Sequence, residues 1–232
     1  AKIKARVMNT EDELAKSIPK VLKEISWKKS MKWSDYDLNW GRPLRSILAI
    51  FDKKTLKFKY SHLEAVNFTF LEEHGEVTEK KIQDFNEYLK FLKKNDIILS
   101  QDERANFISK KIKYICKKKS YKEIIDQSLL LEVNNLVDKP RVIVAKFDKK
   151  YLKLPKEIII STLQSHQRYF TLIDSKDRIS NEFIIVTNNK DEKKFIKIGN
   201  ERVVEARLSD ANFFWERDRS FNLIKQINKL KK

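Results

Sequence analysis

The chain has 232 residues and a mass of 27.7 kDa, room for one large domain or two small ones at roughly 100–200 residues each. Hydrophobic residues make up 41% and aromatics 11%, which excludes wholesale disorder, and no apolar run approaches the ~18 residues of a membrane span. Lys and Arg number 50 against 33 Asp and Glu, a net charge of +17 that favours polyanions through counterion release.

A compositional reading stands beside that one. The chain is rich in Lys, Ile and Asn, as when an AT-rich genome pushes Arg toward Lys. Three glycines leave no room for a phosphate-cradling glycine-rich loop. A lone cysteine, Cys116, excludes an internal disulfide framework and a multi-cysteine metal site. Residues 1–10 hold no signal pattern. The expectation is a soluble chain of a reducing compartment, the cytoplasm.

In chain order, Thr10-Glu11-Asp12-Glu13 predicts a helix start, with Leu14, Ile18, Val21 and Ile25 at helical spacing and a kink or restart near Pro19. Trp27, Trp33, Tyr36 and Trp40 crowd the next stretch, and a loop at 40–43 leads into a strand over 45–51. Alternation at Leu56, Phe58 and Tyr60, then at Val66, Phe68 and Phe70, predicts an antiparallel meander. Thr78 is placed to cap a helix carrying Ile82, Phe85, Leu89 and Leu92. Ser100-Gln101-Asp102-Glu103 is a second capping box, opening a helix with Ile108, Ile112 and Ile115 inward. A third helix is expected over 121–137, ending near Pro140.

Strands return over 142–147 and 151–154 around the turn at 148–150. Pro155 suits the first turn of a short helix reaching about Gln164, and strands follow over 169–173 and 183–186. Asn200 is placed to cap a long final helix with Val204, Leu208, Ala211 and Trp215 on one stripe. Phe221, Ile224 and Ile227 continue a helical pattern after a break near Ser220. The fold class expected is α+β, with strands from 44–70 and 142–187 sharing one antiparallel or mixed sheet and the helical block 78–137 packed on or beside it.

No metal site is expected: His62, His74 and His166 are scattered, and none pairs at helical spacing. No catalytic nucleophile stands out, since Cys116 falls on an apolar helix seam. Three groups of residues fit nucleic acid. The helix after Ser100 carries Lys110, Lys113 and Lys117 within a run from Glu103 to Glu123 that holds no acid between them. His166, Gln167 and Arg168 stand beside Tyr169 and Phe170, suited to phosphates, base edges and stacking. The bland alternative is that His166 and Gln167 cap backbone groups while the two aromatics straddle a sheet. Arg202 stands near a helix start, a phosphate-binding arrangement, while Arg207 and Asp210 are placed for a structural ion pair.

Several of these segments together resemble the beta subunit of bacterial heterotetrameric glycyl-tRNA synthetase. They are Met31-Lys32-Trp33 with Arg42-Pro43, Leu130-Leu131-Glu132-Val133 leading to Pro140, and Leu154-Pro155-Lys156-Glu157. His166-Gln167-Arg168-Tyr169-Phe170 and Asn181-Glu182-Phe183 with Asn188 continue the series. It closes with Gly199-Asn200-Glu201-Arg202-Val203-Val204 and Ala206-Arg207-Leu208-Ser209-Asp210-Ala211-Asn212-Phe213-Phe214. Order and spacing agree over roughly residues 30–218. One departure is plain: Asn67-Phe68-Thr69-Phe70 stands where the family carries Gly-His-Arg-Phe.

The resemblance implies an internal piece of a longer subunit, from its N-terminal half. It implies a domain over 1–198 similar to the B3/B4-type domain of phenylalanyl-tRNA synthetase beta chains, with 199–232 a helical connector toward an HD-type domain. It also implies tRNA as a partner, with Arg42 added to the candidate contacts, and an alpha subunit in an alpha2-beta2 assembly. ATP is then used through the alpha subunit, with no cofactor held by this piece. Two other functions compete with tRNA binding and subunit architecture. One is a hydrolytic editing module, by analogy of fold alone; a synthetic site for glycine already excludes larger amino acids by size, so the need for it is weak. The other is a protein-binding scaffold under an incidental lysine coat.

Overall fold

A computed structural model describes residues 8–73 and 76–220. The tail carrying Phe221, Ile224 and Ile227, and His74 with it, lie outside the described residues. The chain divides into two compact units, residues 1–91 and 92–232. The class is α+β, as expected, but the strands do not share one sheet: those of 44–70 and those of 142–187 fall in separate sheets, one set in each unit.

In the first unit helix α1 (Thr10–Glu24) is capped one residue earlier than the sequence suggests. Asn9 is the N-cap, its side-chain oxygen accepting from the Glu11 amide at 2.9 Å. The helix runs through Pro19 without a restart. The strands are short: β1 (Met31–Lys32) and β2 (Asn39–Trp40) pair, and the single strand expected at 45–51 is broken into β3 (Ile47–Leu48) and β4 (Ile50–Phe51). β5 (Lys54–Thr55) pairs with β4, and β6 (Lys59–Tyr60) pairs antiparallel with β7 (Leu63–Val66). β3 meets β7 in parallel, so the expected all-antiparallel meander is a mixed one. Trp40 packs between Trp27, at 4.8 Å between ring centroids, and Tyr60, at 5.9 Å, and Trp33 donates its indole N–H to the Trp40 carbonyl.

β8 (Phe68–Glu73) and β9 (Glu76–Lys81) form a hairpin. Thr78 therefore lies in a strand and not at a helix start. Helix α2 (Phe85–Lys94) begins after Asp84, whose carboxylate accepts from the Glu87 amide at 2.8 Å, while the Glu87 carboxylate accepts from the Gln83 amide. The two carboxylates satisfy amides on either side of this helix start, while hairpin pairing with Leu71 holds Thr78 in β9.

The second unit is three layers thick. α3 (Gln101–Lys118) and α4 (Gln127–Asn134) cover one face of a sheet ordered β10 (Arg141–Lys146), β12 (Ile179–Thr187), β11 (Phe170–Ile173), all antiparallel. A 3-10 turn at Lys149–Lys153, the short helix α5 (Lys156–Ser161), a π-helical turn at Thr162–His166 and the long α6 (Phe195–Ser220) cover the other. Successive strand residues point to opposite faces, so one strand feeds two cores. Phe183 and Ile185 join Ala145, Phe147, Val204 and Leu208, while Ile184 joins Ile108, Ile112, Phe170 and Leu172. Tyr169 and Phe170 straddle the sheet in the same way.

Three expected elements shift for local reasons. The strand at 151–154 is a 3-10 turn, because Asp148 caps the Lys150 amide at 2.9 Å and the buried residues Tyr151 and Leu154 are spaced by three. The helix expected over 121–137 is reduced to α4, because Asp126 captures the Ser128 and Leu129 amides while Tyr121 bridges to Asp174 at the sheet edge. Asn200 lies inside α6 and not at its start. The Asp191 carboxylate takes the Ile196 and Lys197 amides at 2.8 and 2.9 Å, and Asn200 instead accepts from the buried Tyr169 hydroxyl. The expected boundary between 198 and 199 thus falls within a continuous helix.

Candidate functional site

Helix α3 sets its lysines by its buried stripe. Arg104, Ile108, Ile112 and Cys116 recur every four residues and face the core, with Ile115 packed partly buried against it, so the lysines on the opposite side are turned to solvent. Ser100 caps the helix as predicted, accepting from the Glu103 amide. Eight cations lie from Arg104 to Lys122, and three of them are committed inside the chain. Arg104, 8% exposed, spends its guanidinium on the carbonyls of Asn134 and Ile98 at 3.0 and 2.7 Å, closing the C-terminal end of α4. Lys119 binds Glu182 at 2.7 Å and Lys122 binds Asp177 at 2.6 Å. Five remain: Lys110, Lys111, Lys113, Lys117 and Lys118 are exposed, and among the described residues none has an acidic partner. Lys111 lies 5.5 Å from the Phe107 ring centroid. Lys110, Lys113 and Lys117 share one face, and each like-charge pair at such spacing costs roughly 0.2–0.5 kcal/mol, a cost that a bound polyanion removes.

Burial raises the Cys116 thiol above its ordinary pKa, with Glu123 adding to it; the side chain is 1% exposed and packs as a small apolar residue.

The residues 166–168 end the π-helical turn. Arg168 takes the left-handed backbone conformation, φ 61°, which turns the chain into β11. Its guanidinium donates to the Glu132 carboxylate at 2.5 Å and to the Ser165 carbonyl. Glu132 and Arg168 thereby join α4 to this turn, a link the sequence did not suggest. His166 is exposed and Gln167 half-buried.

A third feature is a polar cleft of about 670 Å³ lined by the end of β10, the 3-10 turn, β12 and α6. Arg202 stands in it with Lys146, Lys149, Glu182, Glu201 and Tyr121. Glu201 accepts from the Lys146 amide at 2.9 Å, and Glu182 accepts from Lys119 and from the Tyr121 hydroxyl at 3.0 Å. Burial opposes the charge on Glu182, but these two donors outweigh it and hold its carboxyl below the ordinary value. Carboxylates and cations alternate here, so the cleft offers no field of one sign. The Arg202 side chain is exposed, and among the described residues no partner binds it.

Arg207 and Asp210 are both exposed on α6, and no ion pair joins them among the described residues. Arg42 lies exposed in the first unit, following Gly41, where an added Cβ would sit 2.8 Å from the Trp27 ring. The structure thus brings the three α3 lysines together, places 166–168 at a turn, and sets Arg202 in the cleft. Among the described residues no group of three His, Cys, Asp or Glu could hold a metal ion, and no helix is long and apolar enough to cross a membrane.

A family model described as glycyl-tRNA synthetase beta subunit matches residues 1–232. The chain is 37% identical over 224 residues to the glycine–tRNA ligase beta subunit of Dictyoglomus thermophilum, covering 96% of this chain and 32% of that protein. It is 35% identical over 232 residues to the corresponding subunit of Rickettsia felis, covering 97% and 35%. For that of Syntrophotalea carbinolica the values are 33% over 223 residues, 96% and 32%. The chain spans about a third of the length of these curated relatives. Over that span, the chain belongs to the glycyl-tRNA synthetase beta subunit family.

Proposed function

We propose that this chain supplies tRNA-binding surface and subunit architecture to a glycine–tRNA ligase. The observation that carries the reading is the solvent face of α3, where five lysines stand without acidic partners among the described residues. Family membership supplies the polyanion: the relatives are named as subunits of a tRNA ligase. Phosphate contacts from such a face position an RNA without reading its sequence. Chemistry of the ligation, including use of ATP, belongs in this reading to an alpha subunit, in an alpha2-beta2 assembly working in the cytoplasm. The finer fold assignment, a B3/B4-type domain, is what the resemblance to the glycyl family implies, and it is tested by superposition on such a domain.

Salt dependence of tRNA binding tests the role of α3. Each neutralised phosphate contributes ~0.7–0.9 to the slope of log K against log salt, so five free lysines give a slope of roughly four when most of them engage. Replacing Lys110, Lys113 and Lys117 with Gln should weaken binding to all tRNAs alike and reduce the slope by roughly two. A triple variant that titrates like the parent chain at every salt concentration makes α3 a solvated face and leaves the charge compositional.

A further inference from the structure

At the centre of the α3 lysines stands an aromatic ring. Tyr114 is 64% exposed, although a tyrosine gains by burying its ring. Residues three and four away on a helix are its surface neighbours. For Tyr114 those at −4, −3, +3 and +4 are Lys110, Lys111, Lys117 and Lys118. Every helical neighbour of the ring is therefore a lysine, and all four are exposed. Among the described residues the Tyr114 hydroxyl has no hydrogen-bond partner, and its ring has no aromatic one.

We propose that Tyr114 is a stacking platform for an unpaired nucleotide of bound RNA, with the four surrounding lysines holding the phosphates on either side. The proposal rests on the RNA-binding reading above and gives it a substrate class: single-stranded or looped RNA in preference to uninterrupted duplex. Unstacked bases lay their faces on aromatic side chains, whereas a duplex keeps its bases inside and offers only phosphates and grooves. Charge complementarity selects a polyanion, and the exposed ring selects one with free π-faces. A membrane surface fits less well. An interfacial helix needs a broad apolar face, and among the described residues Tyr114 is the one large apolar group of this side of α3 that is exposed, Phe107 being half-buried.

The test compares the chain with its Tyr114→Ala and Tyr114→Phe variants on two probes, a single-stranded oligouridylate and a blunt RNA duplex with the same number of phosphates. Tyr114→Ala should lose about fivefold to a hundredfold in affinity for the oligouridylate, with an unchanged salt slope because no charge is removed. Tyr114→Phe should bind like the parent chain, and duplex affinity should not change in either variant. The ring is exposed, so circular dichroism should show the fold intact. Equal oligouridylate affinity for Tyr114→Ala and parent overturns the stacking role, as does an equal loss on both probes. Loss of binding to phosphatidylglycerol vesicles without loss on RNA overturns it in favour of a membrane surface. Lysine substitutions that weaken RNA binding while Tyr114→Ala does not would remove this proposal and leave the broader one standing. RNA binding that ignores the lysines removes the broader one.

Discussion

Single side chains fix where the elements of the second unit start and stop. Asp126 sets the start of α4 by accepting from the Leu129 and Ser128 amides and the Ser128 hydroxyl. These bonds, the Leu129 amide first, favour the charged form and hold its carboxyl below the ordinary value of 3.8. A carboxylate with a lowered folded pKa stabilises the fold fully above its unfolded value, and that contribution is lost as pH falls through the folded one. Asp126→Ala should therefore cost about 1 kcal/mol near neutral pH, as other lost N-caps do. Urea titrations at descending pH should show the gap between the two proteins shrinking only below the ordinary carboxylate value. A gap that stays constant into strong acid would mean that the charge on Asp126 plays no part. Asp126 and Asp84 each left a local pattern, a short acceptor just before an apolar helix, but Thr78 and a start near 121 offer competing patterns, and the expected helices start there instead. The Arg168 link to Glu132 carried none, because a contact across 36 residues leaves no local pattern.

At the scale of elements, periodicity served best where one face is buried. The α3 stripe follows its predicted period, and β10 and β12 form over the segments expected as strands, where apolar residues feed a core on each face of the sheet. It failed where spacing was ambiguous, as at Tyr151 and Leu154, and where tertiary pairing captured the chain, as at Tyr121. α6 offers a cleaner test of helix energetics. Gly199 lies inside it, its φ is not positive, and an added Cβ there meets nothing within 4 Å. Gly199→Ala should then stabilise the chain by roughly 0.5–1 kcal/mol, by removing the entropy that glycine loses in a helix. A denaturant midpoint that moves down instead would mean that something outside the described residues needs the close approach.

Across the whole molecule, the charge is the feature that sequence made most visible and that structure sharpened most. A net charge of +17 says nothing of placement. Folding spends Arg104 on helix-end carbonyls and Lys119 and Lys122 on carboxylates, and leaves five lysines around Tyr114. The division into two units, and the separate sheets within them, were not legible, because strand partners are chosen by long-range packing and both strand regions carry the same local pattern. The candidate contacts are accordingly spread over both units, with Arg42 in the first and α3, Arg168 and Arg202 in the second. Ultraviolet cross-linking of bound tRNA to the chain, followed by mapping of the modified peptides, asks directly which of these meets RNA. Cross-links should concentrate in α3, with Tyr114 among the modified residues, and should be lost when Lys110, Lys113 and Lys117 are replaced with Gln. Cross-links that leave α3 untouched, or that persist undiminished in the triple variant, would contradict a role for this helix in binding tRNA.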